Sequence, residues 1–182
     1  MNKQEKNLLK MFAEAISIFF VKEKENILSG VSERTLCGRL AFYIENLFEK
    51  YRIEGYYAEI ECNRKQGWEI KTIIDNEFRV VNVSCDLIIH SRGNNIKQDN
   101  LIAVEMKKSN RPEEEKKSDR NRLIALTKDS YDGVWSNDGK THPKHVCGYK
   151  LGFYMEIDRD KKNCLFELYR KGKKESERLI SF

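Results

Sequence analysis

The size and composition of the chain restrict the class of protein that it can form. It has 182 residues, of which 35% are charged and 40% hydrophobic, and its net charge is +5. This length supports one domain with a real hydrophobic core, and this composition excludes a disordered or collagen-like chain. Because basic residues are interleaved with acidic ones, a polyanionic partner is permitted but not required. We therefore predict a single domain, residues 1–182.

The cysteines and the N-terminal residues indicate a soluble cytoplasmic protein without a membrane partner. Five scattered cysteines lie mostly in apolar runs, where a free thiol behaves as a small hydrophobe. The apolar segment at 15–21 is short and follows charged residues, so it does not have the form of a signal peptide. No apolar run has the length of a membrane span.

Two helices are predicted at the start of the chain. Residues 3–24 carry apolar side chains three and four apart, which predicts an amphipathic helix that packs on the domain. Ser32 suits the N-cap of a second helix that runs to about Tyr51. Glu33 extends the apolar stripe of this second helix by one turn, so a carboxylate is expected at the mouth of a buried face.

The hydrophobic period then changes from helical to alternating or continuous. Segments 56–62, 68–74 and 78–90 read as three strands, with a tight turn at 75–77, and the third strand carries Asp86. A further strand is predicted at 101–107. Asp86 and Glu105 are therefore expected on adjacent strands.

The rest of the chain is predicted to contain one more helix and two more strands. Pro112 precedes three glutamates, which suit the first turn of a helix that ends near Lys128. Within 129–182 we expect a long loop at 129–147, strands at 148–157 and 164–170, and a solvated basic tail.

Acidic residues interrupt two apolar, β-prone runs of the sequence. Asp86 lies in the first run, and Glu105 and Lys107 lie in the second. Since Glu105 and Lys107 are two residues apart in a strand, they point to one face, while Val104 and Met106 point to the other. A charge on a buried strand has a large desolvation cost unless it is paired or binds a cation.

These residues, in this order of helices and strands, resemble the PD-(D/E)xK nuclease superfamily. Asp86 matches the first acid, and Glu105 with Lys107, 19 residues later, matches the Glu-x-Lys pair. Glu33 matches a helix acid that several members carry, such as Holliday-junction resolvases. The resemblance covers about residues 32–128, and Cys85 stands where the family has its proline.

The resemblance implies an α/β fold with a restriction-endonuclease-like core, in which a central mixed sheet is flanked by helices and residues 1–24 add an N-terminal helix. It also implies a Mg²⁺-dependent nuclease that cleaves DNA and that also works with Mn²⁺ in place of Mg²⁺. The metal ligands would be Asp86, Glu105, the Met106 carbonyl and Glu33. Lys107 would orient the attacking water or help to deprotonate it.

Nucleic-acid contacts and alternative interpretations follow from the same region. The residues that we expect to position phosphates are Lys108, Lys116, Lys117 and Arg120. The protein is expected to act as a homodimer or as a component of a defence or repair complex.

Two alternative interpretations of the same residues remain open. One is a catalytically inactive module of the same fold that binds nucleic acid or a protein partner, and another is a purely structural ion-pair cluster. Asp119 and the lysines of the helix after Pro112 are interpreted more simply as a solvated helix face.

Overall fold

The computed structural model describes residues 1–65, 69–74, 79–131, 135–136 and 144–182. Within these residues the helices are α1 (Lys3–Ser29), α2 (Glu33–Glu45), α3 (Phe48–Tyr51) and α4 (Glu113–Thr127), and a 3₁₀ turn covers Ile96–Gln98. The strands are β1 (Tyr57–Ile60), β2 (Thr72–Ile74), β3 (Val80–Asn82), β4 (Leu87–His90), β5 (Asn100–Lys108), β6 (Ser130–Tyr131), β7 (Trp135–Ser136), β8 (Leu151–Asp158), β9 (Asn163–Arg170) and β10 (Lys173–Ser181).

A six-stranded mixed sheet, in the order β1-β4-β5-β8-β9-β10, forms the centre of the fold. Only β5 and β8 pair in parallel, and the chain passes between them through α4. Helices α1 and α2 bury one face of this sheet, and α4 packs on the other face. These features confirm an α/β fold with a central mixed sheet flanked by helices. Among the described residues, no helix is both long and apolar enough to cross a membrane.

Helix α1 confirms the predicted N-terminal helix and extends it by about one turn. Asn2 and Glu5 form a reciprocal capping box at its start, and Gly30, with φ of 81°, ends it in the left-handed conformation. Its apolar stripe lies on the sheet, where the Phe12 ring stacks on Phe153 with centroids 3.8 Å apart. This long helix therefore fixes the position of β8 beside β5.

Helix α2 begins where the sequence predicts, but it ends early. Ser32 Oγ accepts a hydrogen bond from Thr35 N at 3.1 Å, which confirms the predicted N-cap. The prediction of one helix to Tyr51 is wrong, because Leu47 N–H bonds to Ile44 O and tightens the last turn before a separate α3 begins.

The predicted strand at 78–90 is two strands, β3 and β4, that belong to different sheets. Strand β3 pairs with β2 in a small two-stranded sheet, whereas β4 enters the central sheet between β1 and β5. The chain leaves the β ladder to cross between the two sheets, so Asp86 lies just before β4 and not within a strand. The predicted turn at 75–77, the Trp68 end of the second predicted strand and the Phe78 end of the third lie outside the described residues.

Residues 148–182 contain one strand more than the two predicted. Strands β8 and β9 confirm the prediction. The basic tail is exposed as predicted, but it does not follow the last strand, because the chain turns back and forms β10. Lys171 and Gly172 have φ values of 52° and 73°, as a type I′ hairpin requires at both central positions. Residues 129–147, expected as a loop, include the short pair β6 and β7.

Strand β10 forms one outer edge of the central sheet. All nine of its residues are exposed, and its pairing with β9 shifts register between Lys174 and Ser176. Charged side chains occupy most of its first six positions, namely Lys173, Lys174, Glu175, Glu177 and Arg178. Its contact with β9 therefore relies on the backbone ladder and on ion pairs such as Lys174 with Glu167.

Helix α4 approaches the sheet closely at Gly152 of β8, and a substitution there tests how α4 is positioned. A Cβ at Gly152 would lie 3.0 Å from Thr127 Cγ2, 3.3 Å from Leu123 Cδ2 and 3.2 Å from Tyr169 Cβ. We expect Gly152→Ala to lower the free energy of unfolding by about 1–3 kcal/mol, because these packed neighbours have to move.

The matched control for this prediction is Gly38→Ala in α2, where the nearest atom would be 3.9 Å away. This change is expected to raise stability by about 0.5–1 kcal/mol, because alanine favours a helix. Urea denaturation of both variants measures the difference. Equal stability of the two variants would contradict the close approach of α4 to the sheet.

Candidate functional site

The register of β4 and β5 brings Asp86 next to Glu105. Leu87 pairs with Val104, so one further step in the antiparallel register leads to Asp86 and Glu105. Asp86 is fixed there by the backbone of β5, because Met106 N donates a hydrogen bond to its Oδ2 at 2.8 Å. The expected neighbourhood of these two acids is present in the structure.

A third carboxylate, that of Asp119, comes from α4. Single oxygens of Asp86, Glu105 and Asp119 all lie within 4.8 Å of one another. Glu105 is 0% exposed and Asp119 is 3% exposed, whereas the side chain of Asp86 is 26% exposed. The three residues thus form a buried acidic cluster that reaches solvent on the Asp86 side.

Among the residues that the structure describes, two cations lie within this cluster. Lys107 Nζ is 3.0 Å from Asp119 Oδ2 and 3.9 Å from Asp86 Oδ2. Arg122 Nη1 is 2.7 Å from Glu105 Oε1 and 3.3 Å from Asp119 Oδ1. Three carboxylates against two cations leave one excess negative charge when all five groups are ionised. The predicted shared face of Glu105 and Lys107 is therefore correct, and both side chains point towards α4.

One oxygen of Glu105 is not satisfied. Among the described residues, none donates a hydrogen bond to the buried atom Glu105 Oε2. The Cys85 thiol adjoins this carboxylate, but a thiol is a weak donor. Burial raises the pKa of Glu105 well above its usual range, Arg122 opposes this effect, and the charges of Asp86 and Asp119 add to it. Glu105 thus lacks part of the positive charge that its ionised form needs.

Lys107 is held as a cation by its neighbours. Burial lowers its pKa, but the carboxylates of Asp86 and Asp119 outweigh burial and place the net pKa above the usual value. Burial is also the main reason why the pKa of Asp119 is raised, although Lys107 and Arg122 oppose it. A protonated amine donates hydrogen bonds and stabilises negative charge, but it does not accept a proton.

Glu33, the first residue of α2, lies beside the end of β5 and is already paired. Its Oε1 accepts a hydrogen bond from Lys108 N at 2.9 Å, and Arg111 donates to both of its oxygens, from Nε at 3.2 Å and from Nη2 at 3.1 Å. Burial raises the pKa of Glu33, but Arg111 and the Lys108 N–H together lower it by more, so the net pKa is below the usual value. Glu33 is not one of the three carboxylates that converge.

The four residues predicted to contact phosphates have different surroundings. Lys116 is 3% exposed and its Nζ bonds to Glu113, Glu156 and the carbonyl of Ser109. Arg120 pairs with Glu167 and lies over the Tyr154 ring. Lys108 Nζ donates to Gly30 O at 2.9 Å, and Lys117 is exposed. The side chains of Lys116 and Arg120 are thus engaged within the protein.

An open polar cleft of about 710 Å³ leads to the cluster. Asp86 lines it together with Glu33, Glu61 and three basic residues, Arg34, Lys108 and Arg111. It lies along one end of the central sheet, where Glu61 N–H bonds to Asp86 O and β5 ends at Lys108. Solvent and small ligands therefore reach Asp86 from this cleft.

The sequence interpretation missed Asp119 and Arg122 as members of the cluster. Asp119 was assigned to a solvated helix face because α4 is rich in charge. A signal was present, since Asp119, Arg122, Leu123 and Leu126 follow the spacing of three and four that marks one helix face. Leu123 and Leu126 pack on the sheet, so Asp119 and Arg122 are directed towards Glu105.

A second group with metal-binding atoms is already satisfied by the protein. Glu59, Cys62 and His90 converge within 4.8 Å, but His90 Nε2 lies 2.6 Å from Glu59 Oε2 and Arg92 binds the other oxygen. Burial and the Lys71 charge lower the pKa of His90 despite Glu59, so the neutral ring donates to that carboxylate. This group therefore ties β1 to β4, and we assign it a structural role.

Comparisons of the chain with protein-family models, with curated proteins and with solved structures gave no match.

The Arg122 side chain is predicted to be essential for stability because Glu105 is buried. Arg122→Gln removes the cation from a fully buried carboxylate, and we expect a loss of about 3–5 kcal/mol in the free energy of unfolding. The measurement is urea denaturation at neutral pH.

Two further variants control this prediction. Arg159→Gln removes a more exposed ion pair with Asp160 and should cost less than about 1 kcal/mol. The double variant Arg122→Gln with Glu105→Gln should recover much of the loss, because it removes the unpaired charge. The prediction fails when Arg122→Gln is no more destabilising than Arg159→Gln.

Proposed function

We propose that this protein is a restriction-endonuclease-like, metal-dependent nuclease that hydrolyses phosphodiester bonds of DNA with a metal-activated water. One observation carries this proposal: carboxylates from three parts of the chain converge around a lysine cation, and one of their buried oxygens, Glu105 Oε2, accepts no hydrogen bond from the described residues. A divalent cation would supply the positive charge that this oxygen lacks.

The donor set fits a hard cation. Asp86, Glu105 and Asp119 offer oxygen ligands only, which suit Mg²⁺ or Mn²⁺ better than zinc. Such a cation, when bound, polarises a phosphate and lowers the pKa of a water molecule. The excess negative charge of the cluster and the solvent-accessible side of Asp86 both favour its binding.

The side chains of the cluster have separate roles in this proposal. Asp86, held by the Met106 N–H, and the buried Glu105 would bind the cation in a fixed position. Lys107, held protonated by two carboxylates, would orient the attacking water and stabilise charge on the phosphate. Of the two roles predicted for Lys107, its raised pKa favours orientation over proton removal.

The other predicted ligands remain part of the proposal. Glu33 would bind a second cation or a water once Arg111 releases it, and the Met106 carbonyl would supply an additional oxygen. The order α2, β1, β4, β5, α4 and β8 supports the proposed restriction-endonuclease-like core, because the helix acid, the acid just before β4 and the Glu-x-Lys strand follow one another in the expected succession. DNA as substrate, a homodimer and a role in a defence or repair complex remain predictions.

A catalytically inactive module of the same fold is the second candidate. Arg122 and Lys107 already contact oxygens of all three carboxylates, so the cluster is partly neutralised by the protein itself. In an inactive module these ion pairs would be permanent, and the cleft would serve only to bind a nucleic acid or a protein partner.

Cleavage is predicted to depend on divalent metal and on the cluster. The purified protein should cut DNA with Mg²⁺ or Mn²⁺ but not with EDTA, and Asp86→Ala or Lys107→Ala should lower the rate by at least about 100-fold. Gel analysis of a panel of duplex, junction and single-stranded substrates provides the measurement. Arg178→Ala, at an exposed position of β10, is the control and should keep full activity under saturating substrate.

Metal binding is predicted to stabilise the fold independently of cleavage. Mn²⁺ at about 100 times its dissociation constant should add about 2.7 kcal/mol to the free energy of unfolding, and Glu105→Gln should abolish this gain. Thermal unfolding with and without Mn²⁺ measures the effect. Stabilisation without cleavage of any substrate would favour the inactive module, and no stabilisation at all would exclude the metal site.

A further inference from the structure

The cleft beside Asp86 contains two exposed arginines, each held by one carboxylate. Arg34 Nη2 is 3.3 Å from Glu61 Oε2, and the two side chains are 69% and 47% exposed. The Arg111 side chain is 48% exposed and binds both oxygens of Glu33. The Arg34–Glu61 pair is largely exposed and contributes little to stability, so its partners exchange readily. The Arg111–Glu33 pair is stronger, because it is bidentate and the Glu33 side chain is 14% exposed, so exchange there requires a ligand that takes both hydrogen bonds.

The two pairs lie on opposite sides of Asp86. The sheet order β1-β4-β5 places Glu61, which follows β1, on one side of Asp86. Arg111 follows β5 and lies on the other side. A strand that crosses the sheet end over Asp86 would therefore meet one arginine before the cluster and one after it.

The geometry at Arg111 also resembles the binding of a phosphate. Arginine donates two parallel hydrogen bonds to a carboxylate, and it binds a phosphate with the same fork. Glu33 thus occupies the place at Arg111 that a phosphate would take. Lys116 and Arg120, by contrast, are each held by two carboxylates and are less exposed.

We propose that Arg34 and Arg111 bind the backbone phosphates on either side of the phosphate at Asp86, and that each arginine exchanges its carboxylate partner for a phosphate. This inference rests on the proposed nuclease function and names the residues that would hold the substrate strand. The cations that line the cleft, Arg34, Lys108 and Arg111, are matched in number by Glu33, Glu61 and Asp86. Binding therefore depends on exchange of partners and not on a general excess of positive charge.

Fluorescence anisotropy with labelled single-stranded and duplex oligonucleotides in EDTA tests this inference without cleavage. Arg34→Gln and Arg111→Gln should each weaken binding by about three- to tenfold. Each should also lower the slope of log K against log salt by about 0.7 for a single strand or about 0.9 for a duplex. Arg178→Gln, on the far sheet edge at β10, is the matched control and should change neither quantity.

A third substitution tests the exchange itself. Glu61→Gln releases Arg34 from its carboxylate, so it should tighten oligonucleotide binding by about three- to tenfold, and the gain should vanish in the double variant with Arg34→Gln. Thermal unfolding confirms that each exposed variant is folded.

The outcomes separate this inference from the proposed function. The inference about the two arginines would be overturned if both arginine variants kept the wild-type affinity and salt slope. It would also be overturned if the protein bound no oligonucleotide, or if Glu61→Gln left the affinity unchanged. Loss of affinity in the arginine variants, with no cleavage by the wild type under any metal, would support the phosphate contacts and exclude the nuclease.

Discussion

The structure depends on one fully buried carboxylate in the middle of the central sheet. Glu105 lies in β5 between β4 and β8, where an unpaired charge is costly. Three parts of the chain surround this carboxylate: Asp86 precedes β4, Lys107 lies in β5 itself, and α4 brings Arg122 and Asp119. The two cations compensate the cost of burial, whereas the charges of Asp86 and Asp119 add to it. The close contact of α4 with Gly152 of β8 also matters for this charge balance, because it sets the distance between the Arg122 guanidinium and the Glu105 carboxylate.

Much of this arrangement could be predicted from the sequence because it follows local patterns. The alternation of β5 places Glu105 and Lys107 on one face and Met106 on the other, and Ser32 begins α2 as its capping chemistry requires. These features depend on spacing alone. The burial of Glu105 in particular was expected from its apolar neighbours along the strand.

The features that could not be predicted depend on contacts between distant segments. Nothing in the sequence of 78–90 shows that β3 and β4 join different sheets, because both halves are equally β-prone. Lys116 is buried because it pairs with Glu156 of β8, which lies 40 residues further along the chain, and without that contact its side chain would point into solvent. Asp119 was misjudged for a similar reason: a charged helix with few apolar residues has a weak stripe, and its buried side is decided by the sheet.

Among the described residues, no strand pairs with the outer edge of β10, which presents a row of backbone donors and acceptors there. Such an edge is a template for pairing with the same edge of another molecule, which leads to aggregation. The register shift after Lys174 interrupts a regular ladder, and the charged side chains at the first six positions of β10 bring like charges together in several pairing registers. The charges of β10 thus protect the protein at high concentration, and neutral substitutions there would remove that protection.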